Sequence, residues 1–509
     1  MMFFAAAFLA AWSLVTATCA GECPSGGEED AVEMLQAHLT HEGRLHEDAE
    51  IRGAGLTDDP LCEILRNATW PTGRVLCGDA QMQTYGWDVY NQECAGLTPR
   101  FLLEPQTVQD VQTAVKFARE HQVNISFRGS GHTYDCVAFK AGSLNIDLRT
   151  LGSNVTISYS GGSATAKMEP GVNFAKMFAT LPSTLSFTHG TCESVGVMGY
   201  TLHGGWGATT STWANESIVE IEVITADGEL RTLNAANQGN EAKLWDAMHV
   251  AASSFGIVTN LTIQLFNHSE RSFWFLPVLN SFDYLLSVLP DETSFGWIGL
   301  ARWDSVFYQK NTILGSGWFL QIVLKDDSMW TKAKAVAWIM SKLIIIGITY
   351  QSPYSFPSSA ETWDLGRYPF QTASVFTRFY PRTEIRGAAK LLEGFFAQHA
   401  ADCRYNLGPI QGTAPRLPLV TVECNTPSSA ELLKQFVKEN SNVLQPNRPG
   451  SGYINLPLDG SSSYRQAYFP QYAQLSATKC IWDPTDFFFL ENGIHPSGCD
   501  SARAEPVKK

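Results

Sequence analysis

Two glycine-rich stretches constrain this chain more than any other feature. The first is Arg128-Gly129-Ser130-Gly131-His132; the second, His189–Gly207, carries six glycines at 190, 196, 199, 204, 205 and 207. A strand interior does not tolerate that density, so the second stretch reads as a loop that lets backbone wrap a ligand. A strand–helix–strand unit leads into the first. Phe101–Leu103 form a short apolar strand closed by Pro105. Thr107 is an N-cap for a helix with Val108, Val111, Ala114, Val115 and Ala118 at helical spacing, and Val123–Phe127 alternate as a strand. Gly129 and Gly131 let the turn adopt angles closed to other residues and expose N–H groups suited to a pyrophosphate. His132 can then set an imidazole against the same ligand. Neither stretch matches a P-loop or a G-x-G-x-x-G after a strand, so neither of those nucleotide folds is implied.

More short elements follow. Ser143–Leu151 alternates as a strand, and Val155–Gly171 and Ser217–Leu233 read as hairpins, the latter turning at Ala226-Asp227-Gly228. Leu244–Phe266 reads as a helix, a glycine-containing turn and a strand; from about Asn267 to Ser462 long amphipathic strands and helices take over. The fold class expected is α+β: a nucleotide-binding half and a second half, an antiparallel sheet covered by helices, lying over it. A chain of 509 residues exceeds one ordinary core, which agrees. The divisions expected are a leader at 1–20, a cysteine-containing segment at 21–96, the nucleotide-binding domain at 97–270, a substrate domain at 271–462 and a closing segment at 463–509.

Several features point to export. MMFFAAAFLAAWSLVTATCA reads as a secretory signal peptide, with Thr18 and Ala20 as small residues near a cleavage site. No later stretch reaches the ~18 apolar residues needed to cross a bilayer. The nearest, Ala335–Tyr350, is broken by Ser341 and Lys342 and reads as a buried helix running into a strand. Asparagine sequons stand at 67, 124, 154, 215, 260 and 267. Of 11 cysteines, ten remain after cleavage at Ala20, a plausible disulfide set; Cys403 with Cys424 and Cys480 with Cys499 are pairings by spacing only. No CxxC pairs occur, so no metal site is expected. With 36 basic against 50 acidic side chains the net charge is −14, which argues against nucleic acid as a partner. A secreted, extracellular protein without a membrane anchor is the expectation.

From Glu104 to Leu148 the chain resembles the FAD-binding domain of the vanillyl-alcohol-oxidase superfamily (the PCMH type). Gly190-Thr-Cys-Glu-Ser-Val-Gly-Val-Met-Gly-Tyr-Thr-Leu-His-Gly-Gly-Trp-Gly207 is similar to the berberine-bridge-enzyme-like oxidases, which include secreted oligosaccharide oxidases. Tyr453–Pro496 resembles that family's closing segment: a Tyr-x-Asn strand, a helix, and an Asp-Pro-x-x-x-Phe turn returning to the flavin. The resemblance implies FAD as cofactor, held bicovalently. His132 stands where the family has the histidine bonded to the flavin 8α-methyl, and Cys192 where it has the cysteine bonded to C6. A loop histidine bonded to backbone and a disulfide or buried thiol are the bland alternatives. With Cys192 so used, nine mature cysteines remain and one thiol should be free. The resemblance further implies pyrophosphate on the Arg128–Gly131 turn, flavin and ribityl contacts from Gly196, Val197, Gly199, Gly256, Ile257 and Val258, and Asn455 facing the flavin.

The chain also departs from the family. His249–Ser253 replaces a glycine-rich run, Thr210–Thr212 stand where a basic residue is usual, and Leu456 occupies the position of the catalytic tyrosine. An alcohol-oxidising flavoenzyme needs a group poised to take the hydroxyl proton. Tyr453, Glu423 and His203 are candidates by chemistry, and Glu423 could equally be a solvent-facing edge carboxylate. Three readings follow: an oxidase of a sugar or oligosaccharide alcohol that passes electrons to O2 and yields H2O2, an oxidase or dehydrogenase of an alkaloid or phenolic alcohol, and a non-catalytic flavin-carrying protein. Gly190 fits oxygen access to the flavin. The sequence is silent on oligomeric state.

Overall fold

The computed structural model describes residues 59–68, 73–77, 90–91, 94, 96–190, 193–205, 213–267, 273–280 and, with further breaks, 284–499; the longest later breaks are 288–300, 352–373 and 409–418. The described chain begins with helix α1 (Pro60–Asn67), whose N-cap Asp59 accepts from the Leu61 N–H, and strand β1 (Arg74–Cys77). β1 pairs antiparallel with β2 (Phe101–Glu104), so the cysteine-containing segment supplies an edge strand. Thr107 caps α2 (Val108–Glu120) in a full capping box with Asp110, worth about 1 kcal/mol. β3 (Ile125–Arg128) and β4 (Leu144–Asp147) follow, giving a sheet of order β1-β2-β4-β3 in which β4 runs parallel to β2 and β3. Apolar α2 positions Val111, Ala114, Val115 and Ala118 are wholly buried against Phe101, Leu103, Leu144 and Ile146. The helical spacing seen in sequence is this packing face.

The second sheet is antiparallel. β5 (Val155–Ser160) and β6 (Ser163–Met168) form the first expected hairpin. Helix α3 (Phe174–Thr180), the two-residue β7 (Leu185–Ser186) and α4 (Val197–Leu202) come next. β8 (Ile218–Thr225) and β9 (Leu230–Asn234) form the second hairpin, α5 spans Gly239–Ala251, and β10 (Gly256–Asn267) is the central strand, giving the order β5-β6-β10-β8-β9. α4 corrects the reading of 189–207 as loop throughout. The glycines concealed a helical pair of pairs: Val197, Met198, Thr201 and Leu202 are the buried face, with Gly196 at the N-cap.

The third sheet is built from β11 (Phe273–Val278), β12 (Ala301–Asn311), β13 (Gly315–Leu324), β14 (Thr349–Gln351), β15 (Ser374–Phe379), β16 (Cys403–Gly408) and β17 (Leu419–Cys424). Its order is β14-β11-β13-β12-β16-β17-β15, antiparallel throughout. Helices α6 (Met329–Lys342), α7 (Arg382–His399) and α8 (Pro427–Glu439) contribute to its core, which includes Ile339, Leu392, Leu433, Tyr405 and Val422. α6 departs from expectation. It buries Thr331, Ala335 and Ile339, whereas Trp330 and Met340 are each 67% exposed, so it is an amphipathic cover and not a buried helix.

Beyond α9 (Ser441–Leu444) the chain leaves the third sheet. Tyr453–Asn455 form a turn, not the strand expected. α10 (Arg465–Tyr468) and α11 (Tyr472–Trp482) follow, and Phe469, Leu475 and Ile494 join the core of the second sheet, so the closing segment returns to the first half. Disulfides link Cys403 to Cys424 and Cys480 to Cys499, the two pairings suggested by spacing, and also Cys62 to Cys77 and Cys94 to Cys136. Among the described residues no helix is long and apolar enough to cross a membrane, and no cluster of metal-ligating side chains occurs.

Candidate functional site

Where β3 ends, Gly131 (φ +84°) swings the chain through a conformation closed to most side chains and opens a cavity of about 520 Å³. That lies within the ~300–1,000 Å³ of small-molecule sites. Its position, outside the carboxyl ends of parallel strands, is where open sheets place ligands. Five stretches distant in sequence make most of the wall: 125–140, 195–203, 251–258, 453–457 and 488–493.

The structure brings thirteen of the residues nominated from sequence to this wall: Arg128, Gly129, Ser130, Gly131, His132, Gly190, Gly196, Gly199, His203, Gly256, Val258, Tyr453 and Asn455. Val197 and Ile257 do not line it; their side chains are fully buried in the cores of the second and first sheets. Glu423 does not line it either. It sits next to the end of β17, in register with Val375 and Arg404. Cys192 and Leu456, with Thr210–Thr212, lie outside the described residues.

The two glycine-rich stretches are stitched together. The Gly196 N–H donates to Ser130 Oγ at 2.8 Å, and a Cβ on Gly196 would fall 2.9 Å from that oxygen, so only glycine permits the contact. Arg128 faces inward: its side chain is wholly buried, paired with Asp147 at 3.1 Å and set over the Phe139 ring. Burial of a charge is tolerated only with such a partner. The guanidinium thus anchors the turn from behind, and the turn's backbone presents the ligand face.

His132 Nε2 lies 2.8 Å from Ser194 Oγ, and its ring stacks on Tyr90 with centroids 4.6 Å apart at 30°. Burial pushes the imidazole down to about 3, so it is neutral at ordinary pH. On the same cavity wall Asn455 Nδ2 is within hydrogen-bond reach of the carbonyls of Tyr200 and His203, both at 3.2 Å, and of Tyr453 Oη at 3.1 Å. This ties the closing segment to α4 and fixes the phenol. Tyr200 is held well above its usual range by burial and by the neighbouring Tyr453. His203 is committed at both ring nitrogens, to Gly199 O at 2.9 Å and Ser253 Oγ at 3.1 Å, and burial lowers its pKa. That suits it to hold the wall together and not to take a proton.

Sequence reasoning missed several lining groups. Asp135 accepts from Thr133 Oγ1 and Asn492 Nδ2, both at 2.6 Å, and burial raises its carboxyl. Lys140, brought down to about 8 chiefly by burial, donates to the Phe489 carbonyl. Both follow closely on RGSGH, a proximity that could have flagged them. Tyr90 gave no such signal.

These residues fit a flavin dinucleotide. A Cβ on Gly199 would meet nothing within 4 Å, so this face of α4 is open to the cavity that the glycine turn and the neutral His132 also line. Backbone N–H groups for phosphates and flat apolar walls for rings are the donor set such a ligand requires.

Residues 99–234 match the model of an FAD binding domain. A VAO-type flavoprotein oxidase of Thermothelomyces thermophilus is 29% identical over 231 residues, covering 42% of this chain and 40% of that protein. The xylooligosaccharide oxidase of the same organism is 32% identical over 175 residues, 33% of this chain and 34% of that one. The aligned stretches thus span about a third to two-fifths of these relatives' own length. Among solved structures, the xylooligosaccharide oxidase from Myceliophthora thermophila C1 in complex with xylobiose superposes with a TM-score of 0.69 at 19% identity, covering 86% of this chain and 99% of that one. Residues 99–234 are thus an FAD binding domain, similar in sequence to VAO-type and oligosaccharide oxidases, and the chain shares its fold with solved flavoprotein oxidases over most of its length.

Proposed function

We propose that this protein is a secreted FAD-dependent oxidase that removes a hydride from an alcohol carbon, that of a sugar or oligosaccharide, and reduces O2 to H2O2. The observation that carries the reading is one cavity lined by both a neutral His132 and Tyr453, the latter braced by Asn455. FAD, when bound, supplies the two-electron acceptor. The chain supplies the rest: His132 and Cys192 would hold the cofactor covalently, and the 128–131 turn and Gly196 to Gly199 would cradle it. Tyr453 takes the hydroxyl proton at Oη, the atom that the Asn455 amide holds in place at 3.1 Å. Glu423, away from the cavity wall, is set aside as base. The carbohydrate class draws support from the names of aligned relatives, among them a carbohydrate oxidase and two oligosaccharide oxidases. Export draws support from the leader-like N-terminus and four disulfides, which persist in oxidising compartments.

A peroxide-coupled assay over sugars, oligosaccharides, phenolic alcohols and alkaloids, with acid precipitation of the purified protein, tests this. Sugar-dependent peroxide, a yellow acid pellet, and a loss of roughly 10²–10⁴ in flavin reduction rate for Tyr453→Phe are the expected results. Turnover confined to phenolic alcohols or alkaloids would reassign the substrate. A flavin that no alcohol bleaches anaerobically would make the protein a carrier.

A further inference from the structure

The residues preceding the FAD binding domain form a strap across the turn that carries His132. The Tyr90 N–H donates to the Gly131 carbonyl at 3.2 Å. Asn91 Nδ2 donates to the Tyr134 carbonyl at 2.7 Å, the Tyr134 hydroxyl meets that of Tyr90 at 3.3 Å, and Cys94 is bonded to Cys136. Every one of these contacts lands within 131–136, on one side or the other of His132. The Tyr90 ring lies against the imidazole face while Ser194 Oγ holds Nε2, so ring plane and ring rotation are set by two different groups. A side chain gripped on one face and at one nitrogen presents the remaining nitrogen in a single orientation.

We propose that Tyr90 is a positioning residue for His132: the strap fixes the imidazole plane in which His132 meets the cofactor. The inference rests on His132 being an attachment residue. The test separates the two in a Cys192→Ala background, where His132 is left as the sole attachment. Protein made under riboflavin starvation receives FAD, and the rate at which flavin becomes acid-stable is followed. Tyr90→Leu should slow that rate by roughly two- to tenfold, the factor an aromatic contact is worth, while Tyr90→Phe restores it and total bound FAD stays unchanged. Asn91→Leu removes the strap's hydrogen bond but keeps both rings, and it too should slow the rate. This variant decides the matter if Tyr90→Leu does not fold. Acid-stable flavin forming at the parent rate in both variants overturns the positioning role. Absence of acid-stable flavin in the Cys192→Ala parent instead overturns attachment through His132.

Discussion

Lys479 offers the sharpest test of how the cavity wall is held. The side chain is completely buried on α11, its Nζ 2.7 Å from Asp483 Oδ2 and 3.3 Å from Asp486 Oδ1. It also donates to the carbonyls of Phe488 and Ser254, two residues of the wall. Asp483 is equally buried and accepts from the Phe487 and Phe488 N–H groups at 2.8 and 2.9 Å. Lys479→Met keeps the apolar bulk and leaves the carboxylate without its cation. Breaking one side of a buried pair costs about 3–5 kcal/mol, which for a folding unit of this size is a fall of about 6–20 °C in melting temperature. The double change Lys479→Met with Asp483→Asn removes both charges and should recover about half of the loss or more. Thermal unfolding of the holoprotein followed by circular dichroism measures both. A single variant melting within about 1 °C of the parent, or a double variant that loses the sum of two independent changes, would refute the pair as the clamp on residues 488 and 254.

Acid should destabilise the folded protein. Burial holds His132 at about 3 and lowers His203 and His249 below the ordinary 6.5, so the unfolded chain binds those protons first. Their contribution is complete above pH ~6.5 and is lost as pH falls toward the folded values. The raised Asp135 acts in the opposite sense, its contribution fading as pH rises. A melting temperature that rises from pH 7 to pH 4 would show that the histidines do not dominate. Of the six sequons, Asn67, Asn124, Asn154 and Asn267 are exposed, whereas Asn215 donates to the His249 carbonyl and Asn260 to Glu222. Peptide mass spectrometry of protein expressed through a secretory pathway should find glycans only among the first four, and occupancy at Asn215 or Asn260 contradicts the hydrogen-bonding argument.

Much of this was legible in the chain because it is local physics. The Thr107 cap, the apolar stripe of α2, the Ala226–Gly228 turn and the glycine that releases the 128–132 turn depend on neighbours a few residues away, and each appears as the sequence implies. The α4 helix was hidden because glycine content outweighed a four-residue apolar pattern. Tertiary packing alone decided the rest. Whether Tyr453 or Glu423 reaches the cavity depends on how a closing segment some 250 residues away docks on α4 through Asn455, a contact with no local signature. The grip of Tyr90 on His132 likewise joins residues 42 apart, through a segment without periodicity. A residue's identity and its near neighbours set which backbone angles and chemistry are available to it. Which groups finally face one another is set by the burial of surfaces far apart in the chain, and only the folded molecule expresses that.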